Sequence, residues 1–368
     1  MSTDAKAPAE ALRAAISKVG TLARFAVIGA VLGAIIGSFA YFGGWLTQKD
    51  LRPADFADEF ERVAGVHSGF RRNHAKGVGV SGFFESNGAG ARLSTAIVFQ
   101  VGRVPVIGRF SLAGGQPCMA DAPDTIRGLG LKFSLPDGEQ WRTAMNSIAV
   151  FPVNTPAAFY ERLIASKPDP ATGKPDPAKM KAFLASHPET MRAMKIISSH
   201  PPASGFANST YSSLNAFFFV NTEGVSTPVR LQLVPLDEFE PAATTLPTQE
   251  NKNYLFDALI GRIHQGPVQW HLILIIGQPG DSTSDATLPW PESRERVDAG
   301  TLTLSAVENE ETSVARDINF DPLALPAGIV PSDDPLLSAR SAVYSQSFTR
   351  RAGETKEPSA VTSAEAGK

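Results

Sequence analysis

A single cysteine, Cys118, occurs among the 368 residues of this sequence. One cysteine excludes an internal disulfide framework, a zinc site built on several thiolates and the two-thiol attachment of a c-type haem. Charged residues are also scarce at 19%, and 34 Lys and Arg against 37 Asp and Glu leave a formal net charge of -3. Nucleic-acid binders usually carry a basic patch, so nucleic acid is not an expected partner.

Several familiar catalytic motifs are missing as well. The sequence has no HExxH, P-loop, EF-hand or G-x-S-x-G pattern, which removes support for the common metalloprotease, nucleotidase and hydrolase functions. Residues 77–82 match the G-x-G-x-x-G spacing of dinucleotide-binding turns. That motif must lead into a helix, whereas residues 83–85 continue a strand pattern, so no dinucleotide site is expected.

The run Phe25–Leu46 has 22 residues without an ionisable acid or base. About 20 such residues span a bilayer as a helix, and Lys and Arg precede the run, so a transmembrane anchor is predicted over residues 25–48. Residues 1–24 would then be a short cytoplasmic tail, with the folded domain on the periplasmic side of a bacterial inner membrane. A cleaved signal peptide is the alternative, because residues 38–40 resemble a small-x-small cleavage site.

Strand patterns dominate the remainder of the chain. Residues 53–65 predict an amphipathic helix, and residues 155–166 and 177–197 have helical spacing. Runs rich in β-branched and aromatic residues occupy residues 78–86, 91–101, 128–145, 214–236, 268–279 and 300–308. Tight turns between neighbouring runs imply antiparallel pairing, so the predicted fold class is α+β with a barrel or large sheet. Residues 352–368 have almost no large apolar side chain and are expected to be disordered.

Five motifs then occur in the order and approximate spacing of one family. The segment FRRNHAKGVGVSGFFE resembles the opening strand of the haem catalases, whose H-A-K-G motif carries the distal histidine. Further segments resemble family motifs: GRFSLAGG with TIRGLGLKF, WRTAMNSIAVFPVNTPAAF, TLPWP, and FDPLALPAGIVPSDDPLLSARSAVY. The match covers roughly residues 59–351. The resemblance implies a haem domain over residues 49–351, with an antiparallel β-barrel core of the catalase type and helical insertions.

The resemblance also implies the residues that hold the cofactor, a non-covalent haem b with ferric iron. Tyr344 is the implied metal ligand, and Arg340, four residues earlier on the same helix face, would favour its phenolate form. Asp334 resembles the acidic partner of that arginine, while Asn215 replaces a histidine of the larger catalases. The remaining haem-contacting positions, three arginines for the propionates and two aromatics for the pocket, are occupied by Arg71, Arg109, Arg351, Phe151 and Phe159.

The catalytic roles implied by the family fall on three further residues. His74 would take a proton from one peroxide oxygen and return it to the other, acting first as a base and then as an acid. Asn146 would donate a hydrogen bond to the separating charge. Ser111 would hydrogen-bond His74 and so determine which ring nitrogen faces the iron.

Departures from the larger catalases favour a peroxidase. Ala113 replaces a channel-narrowing valine, Thr125 replaces a channel aspartate, Asn73 replaces a valine beside the distal histidine, and a large carboxy-terminal extension has no counterpart. The substrate channel should therefore discriminate less strongly between hydrogen peroxide and bulkier peroxides. The sequence looks most like the short catalase-related peroxidases, which predicts reduction of organic hydroperoxides by a small organic electron donor. Hydrogen peroxide stays open as an additional substrate.

Three alternatives remain at this point. A small monofunctional catalase would release oxygen from hydrogen peroxide rather than oxidise dyes. A non-enzymatic haem-binding stress protein would not require the acid–base group His74. A peroxide-rearranging synthase of the same fold would be revealed by product analysis with a fatty-acid hydroperoxide. The oligomeric state is left open by the sequence.

Overall fold

The computed structural model describes residues 20, 23, 25–38, 51–169, 171–243 and 251–362. The chain divides into two units, Met1–Arg52 and Pro53–Lys368. In the first unit residues 25–38 are helical, a length of about 21 Å against the roughly 30 Å of a bilayer core.

No helix among these described residues combines the length and the apolar character needed to span a bilayer. The predicted transmembrane anchor, its inner-membrane location and its membrane partner are therefore wrong. Residues 39–48 of that prediction, and all of residues 1–24 except 20 and 23, lie outside the described residues.

The second unit consists of strands followed or interrupted by helices. Its strands are β1 Gly77–Ser86, β2 Gly102–Leu112, β3 Arg127–Ser134, β4 Gln140–Asn146, β5 Tyr211–Ser212, β6 Phe217–Val220, β7 Ser226–Pro235, β8 Val268–Ile276, β9 Arg296–Glu308 and β10 Ile329–Pro331. Its helices are α1 Pro53–Ala64, α2 Pro156–Ala165, α3 Pro177–Ser186, α4 Pro188–Ser198, α5 Tyr254–His264 and α6 Pro335–Ala352.

Eight of the strands close into an antiparallel barrel. Their order is β7-β5-β4-β3-β2-β1-β9-β8, and β8 pairs back with β7. Strands β6 and β10 extend the sheet from β7. Each strand of the ring thus has a neighbour on both sides, although β4 meets the two-residue β5 only at Asn146 and Ser212. The antiparallel barrel expected from the sequence is present, and the helices between strands are insertions into it.

Aromatic side chains fill the barrel core. Phe110 lies 5.9 Å from Trp270 between ring centroids, and Phe133 stacks on Trp141 at 4.8 Å. All four are at most 1% exposed. Complete burial of a large apolar side chain contributes about 1.5–3 kcal/mol. Phe110 and Trp270 join the non-adjacent strands β2 and β8, whereas Phe133 and Trp141 are cross-strand partners in β3 and β4.

The sequence patterns predict some of these elements correctly and others wrongly. Residues 77–82 lie in β1 as expected, and a Cβ on Gly82 would overlap the carbonyl oxygen of Thr303 in β9. The pattern of residues 91–101 predicts a strand, but this prediction is wrong: the segment overlaps the short 3-10 helix Ala89–Arg92 and contains a second one, Ile97–Phe99. Val98 and Phe99 are buried there without ladder pairing, because hydrophobic burial alone does not specify an extended backbone. The helix α5 was not predicted.

Three helices lie together on one side of the barrel, where α1 packs against both α2 and α6. Residues 353–362, for which the sequence predicts disorder, contact distant parts of the chain, including Ser68 and Asn253. Glu354 bonds the guanidinium of Arg72, and Val361 is 1% exposed. These contacts attach a segment with few apolar side chains to the rest of the second unit.

Candidate active site

A cavity of about 460 Å³ lies between α1, α2, α6 and the strands β2, β3 and β4. All ten residues that the sequence predicted for the site line it: Arg71, His74, Arg109, Ser111, Asn146, Phe151, Phe159, Arg340, Tyr344 and Arg351. Ala113 and Asn73 also line the cavity, whereas Thr125 does not. The fold thus brings together side chains separated by up to 280 residues of sequence.

The backbone of His74 adopts the left-handed conformation, with φ at 57°. Such a conformation is uncommon outside glycine and is often retained at functional sites. Asn73 stabilises it, because its Oδ1 accepts hydrogen bonds from the amides of His74 and Gly114 at 3.0 and 2.8 Å. Asn73 therefore positions the histidine, a role that the sequence comparison missed.

The ring of His74 is oriented by Ser111. Its Nδ1 lies 3.0 Å from Ser111 Oγ, which leaves Nε2 as the ring nitrogen for another partner. A Cβ on Gly128 would lie 2.9 Å from both atoms of this pair. Burial, followed by the positive charges of Arg109, Arg340 and Arg71, lowers the pKa of His74 to about 3. The imidazole is neutral near pH 7 and can accept a proton.

Asn146 ends β4, where its backbone pairs with Gly128 on one side and Ser212 on the other. Its side-chain amide lines the cavity and makes no hydrogen bond to any described residue. Phe151 and Phe159 lie nearby, with ring centroids 5.7 Å apart. An available amide donor beside an apolar wall can bind a small polar group without competition from protein acceptors.

Helix α6 carries Arg340, Tyr344 and Arg351 to the cavity on one face. Asp334 caps this helix by accepting a hydrogen bond from the Leu336 amide at 2.9 Å, and Pro335 begins it. Arg340 Cζ lies 5.9 Å from the centroid of the Tyr344 ring. The Tyr344 hydroxyl makes no hydrogen bond to a described residue, so its oxygen is available to a ligand.

Arg340 is held by a chain of polar contacts. It donates to the side-chain oxygen of Asn215 and, at 2.6 Å, to the carbonyl oxygen of Ala144. The Asn215 amide donates in turn to Asp334 Oδ2 at 2.7 Å, and burial raises the pKa of Asp334 despite these bonds. Asn215 thus links Asp334 to Arg340, at the position where the sequence left the hydrogen bonding open.

Three arginines on another side of the cavity differ in how their charges are compensated. Arg109 forms a buried ion pair with Glu310 and donates to the carbonyl oxygens of His74 and Ala75, each at 2.9 Å. Arg71, by contrast, donates only to backbone carbonyls among the described residues. Burial, then Arg109 and Arg351, lowers the pKa of Arg71 well below its usual value.

Arg351 is also undercompensated. Its Nη2 donates to the Ile318 carbonyl oxygen at 3.2 Å, and its buried Nε has no partner. Burial, followed by the charge of Arg109, lowers its pKa to about 10. Two carboxylates entering the cavity would satisfy these guanidinium groups, so the residues fit the propionates of a haem. Glu310, which neutralises Arg109, was not predicted, and no local sequence signal identifies it.

Comparison with known proteins identifies the family of this chain. The catalase family model matches residues 52–363. A catalase-related peroxidase from Synechococcus elongatus is 37% identical over 320 residues, covering 87% of this chain and 94% of that protein. Another, from Mycolicibacterium paratuberculosis, is 32% identical over 305 residues, covering 82% and 96%.

The solved structures include a fungal catalase that superimposes with a TM-score of 0.70 at 22% identity. The match covers 78% of this chain, and the chain spans 60% of the length of that catalase. This likeness shows the barrel fold that the two chains share.

Proposed function

The chain belongs to the catalase family, and we propose that it is a haem peroxidase that reduces organic hydroperoxides with electrons from a small organic donor. As a member of this family it is an oxidoreductase acting on peroxide. The two bacterial relatives are catalase-related peroxidases, and each is matched over more than nine-tenths of its length. Because nearly the whole length of each relative is matched, their activity as whole proteins supports the activity proposed for this chain.

The cavity supports a non-covalent haem b with ferric iron. Tyr344 presents a phenol oxygen that would ligate the iron, and the Arg340 guanidinium lies 5.9 Å from the centroid of its ring. Arg71 and Arg351 offer uncompensated charges to the propionates. When bound, haem supplies the redox-active iron needed for cleavage of the peroxide O–O bond.

The chain's own residues move the proton. His74 is neutral because its pKa is lowered to about 3, so Nε2 can accept the proton of the inner peroxide oxygen and deliver it to the outer one. Ser111 holds Nδ1 and keeps the ring in this orientation. Asn146 donates a hydrogen bond to the oxygen that gains negative charge. Overall, the hydroperoxide takes up two electrons and two protons and yields an alcohol and water.

The apolar wall of the cavity supports an organic hydroperoxide as substrate. Phe56 and Phe60 on α1 pack on Phe159 with centroid distances of 6.4 and 6.1 Å, and Ala113 lines the same cavity. Apolar surface of this kind stabilises an alkyl or aryl group, which hydrogen peroxide lacks. The observation that carries the peroxidase assignment is one cavity lined by a neutral His74, held by Ser111, and by a Tyr344 hydroxyl without a hydrogen bond to a described residue.

Steady-state assays of the haem-loaded protein test this function. The wild type should oxidise a neutral phenolic dye with cumene hydroperoxide and release little oxygen from hydrogen peroxide. Tyr344→Phe should bind haem with an altered optical spectrum, whereas Tyr160→Phe, next to the apolar wall, should keep the wild-type spectrum. Rapid oxygen release with organic hydroperoxides inert would instead identify a small catalase.

A further inference from the structure

Arg162 is a cavity-lining residue that none of the roles above uses. It lies in the last turn of α2, one turn after Phe159 and beside Leu163, and all three line the cavity. Burial alone lowers the pKa of its guanidinium, with no contribution from a neighbouring charge. Arg162 is therefore separate from the group of arginines around Arg71.

The described residues give Arg162 neither a hydrogen-bond acceptor nor a counter-ion. Its neighbour in sequence, Glu161, bonds His187 Nε2 at 2.9 Å instead. Three carboxylates on the adjacent helix α1 pair with other arginines: Asp58 with Arg350, Glu59 with Arg62, and Glu61 with Arg72. A partly buried guanidinium without such a partner loses hydration and gains nothing in return.

Apolar side chains line the cavity on the helix that carries Arg162 and on the helix packed against it. Phe56, 5% exposed, and Phe60 form a wall with Phe159 on the same side of the cavity. His74 lines the same cavity, and the charges that lower its pKa are those of Arg109, Arg340 and Arg71. One cavity is thus lined by a cation without a partner among the described residues, an aromatic wall and the acid–base group His74. A ligand that satisfies all three carries an anionic group, an apolar body and a peroxide.

We propose that Arg162 binds the carboxylate of an amphiphilic organic hydroperoxide whose apolar body packs on the Phe56, Phe60 and Phe159 wall and whose peroxide group reaches His74. This inference rests on the proposed peroxidase function and narrows its substrates to hydroperoxides that carry an organic anion. A charge-assisted hydrogen bond in a partly desolvated site changes affinity by about 10- to 100-fold. Arg162 thus selects the anionic over the neutral form of otherwise equal substrates.

The test compares linoleic acid hydroperoxide with its methyl ester on the holoenzyme, below their micelle concentrations and with a saturating neutral dye as donor. Arg162→Met should lower kcat/KM for the acid by about 10- to 100-fold while the ester changes less than about threefold. Arg192→Met, which removes an exposed arginine on α4, should change neither. Linoleate itself, added as a competitive inhibitor or measured by calorimetry, should lose the same factor of affinity in Arg162→Met.

Other outcomes separate the two proposals. Equal effects of Arg162→Met on acid and ester overturn the role of Arg162, and wild-type turnover of the ester then leaves the peroxidase function standing. A wild type that turns over neither substrate contradicts the peroxidase function, while calorimetry with linoleate still decides whether Arg162 binds a carboxylate. A charge preference found in kcat/KM for an anionic against a neutral dye, and not for the peroxide, would assign Arg162 to the donor and overturn the proposal.

Discussion

Glu310 and Arg109 form an ion pair whose side chains are 1% and 3% exposed. The same guanidinium donates to the carbonyl oxygens of His74 and Ala75. Glu310, 201 residues beyond Arg109 in the chain, therefore compensates the charge of this guanidinium. It also orients the guanidinium toward the His74 backbone. Arg109 holds the His74 backbone in this arrangement, and its contact with a haem propionate stays a prediction. Arg71 and Arg351 have no carboxylate partner among the described residues.

Removing the carboxylate of this pair should be costly. Glu310→Ala leaves Arg109 buried and unpaired, so the free energy of unfolding should fall by about 3 kcal/mol or more. Glu295→Ala, which breaks an exposed pair with Arg92, should cost less than about 1 kcal/mol. Urea denaturation of the two haem-loaded variants measures their free energies of unfolding. Equal decreases would show that the buried ion pair stabilises the protein no more than the exposed one.

His74→Ala should lower kcat/KM for every peroxide by about two to four orders of magnitude, because general acid–base catalysis is lost. The haem spectrum should stay close to that of the wild type. Because the pKa of His74 is lowered to about 3, the base stays deprotonated and competent above that value. The wild-type profile of kcat/KM against pH should then lack an acid limb near 6.5, the model value for histidine. A limb at that pH that disappears in His74→Ala would contradict the neutral, buried imidazole.

The close approach at Gly128 gives a second test of the histidine's position. Gly128→Ala would place a methyl group 2.9 Å from His74 Nδ1 and Ser111 Oγ, which must displace one of them. Displacement of a catalytic group by about 1 Å can lower the rate about 100-fold, so kcat/KM should fall by a factor of this order. Gly261→Ala, in α5 with nothing within 4 Å of the added atom, should leave activity unchanged. Full activity of Gly128→Ala would mean that the His74–Ser111 pair does not orient the base.

The unmet charges of Arg71 and Arg351 should be measurable through haem affinity. Arg71→Met and Arg351→Met should each raise the rate of haem transfer to apomyoglobin by about tenfold, because each loses a charge-assisted bond. Arg103→Met, at an arginine 57% exposed, should behave as the wild type. Thermal unfolding of the haem-free variants is the complementary measurement. Removing an uncompensated buried cation should leave the apoprotein at least as stable as the wild type, and a large loss would indicate a purely structural role.

Much of the fold could be predicted from local pattern. Alternating runs with turn residues identified β1, the β3–β4 hairpin, β8 and β9, since side chains on a strand face opposite sides with a period of two. The Arg340 and Tyr344 spacing placed both on one face of α6 because four residues make about one helical turn. The strand prediction failed at Val98, which is buried in a short 3-10 helix without the alternation of a strand. The membrane prediction failed for the apolar run of residues 25–46, because no helix among the described residues is long and apolar enough to cross a bilayer.

Strand periodicity by itself determined an α+β fold with a barrel or large sheet, because periodicity is a property of neighbouring residues. The resemblance of short motifs to the haem catalases implied the ten residues that line the cavity. Only the tertiary structure decided how the charges in the cavity are compensated. Arg109 meets Glu310, Arg340 reaches Asp334 through Asn215, and Arg162 meets no carboxylate among the described residues. Electrostatic partners come from distant parts of the chain, and their strength depends on burial, which no local pattern encodes.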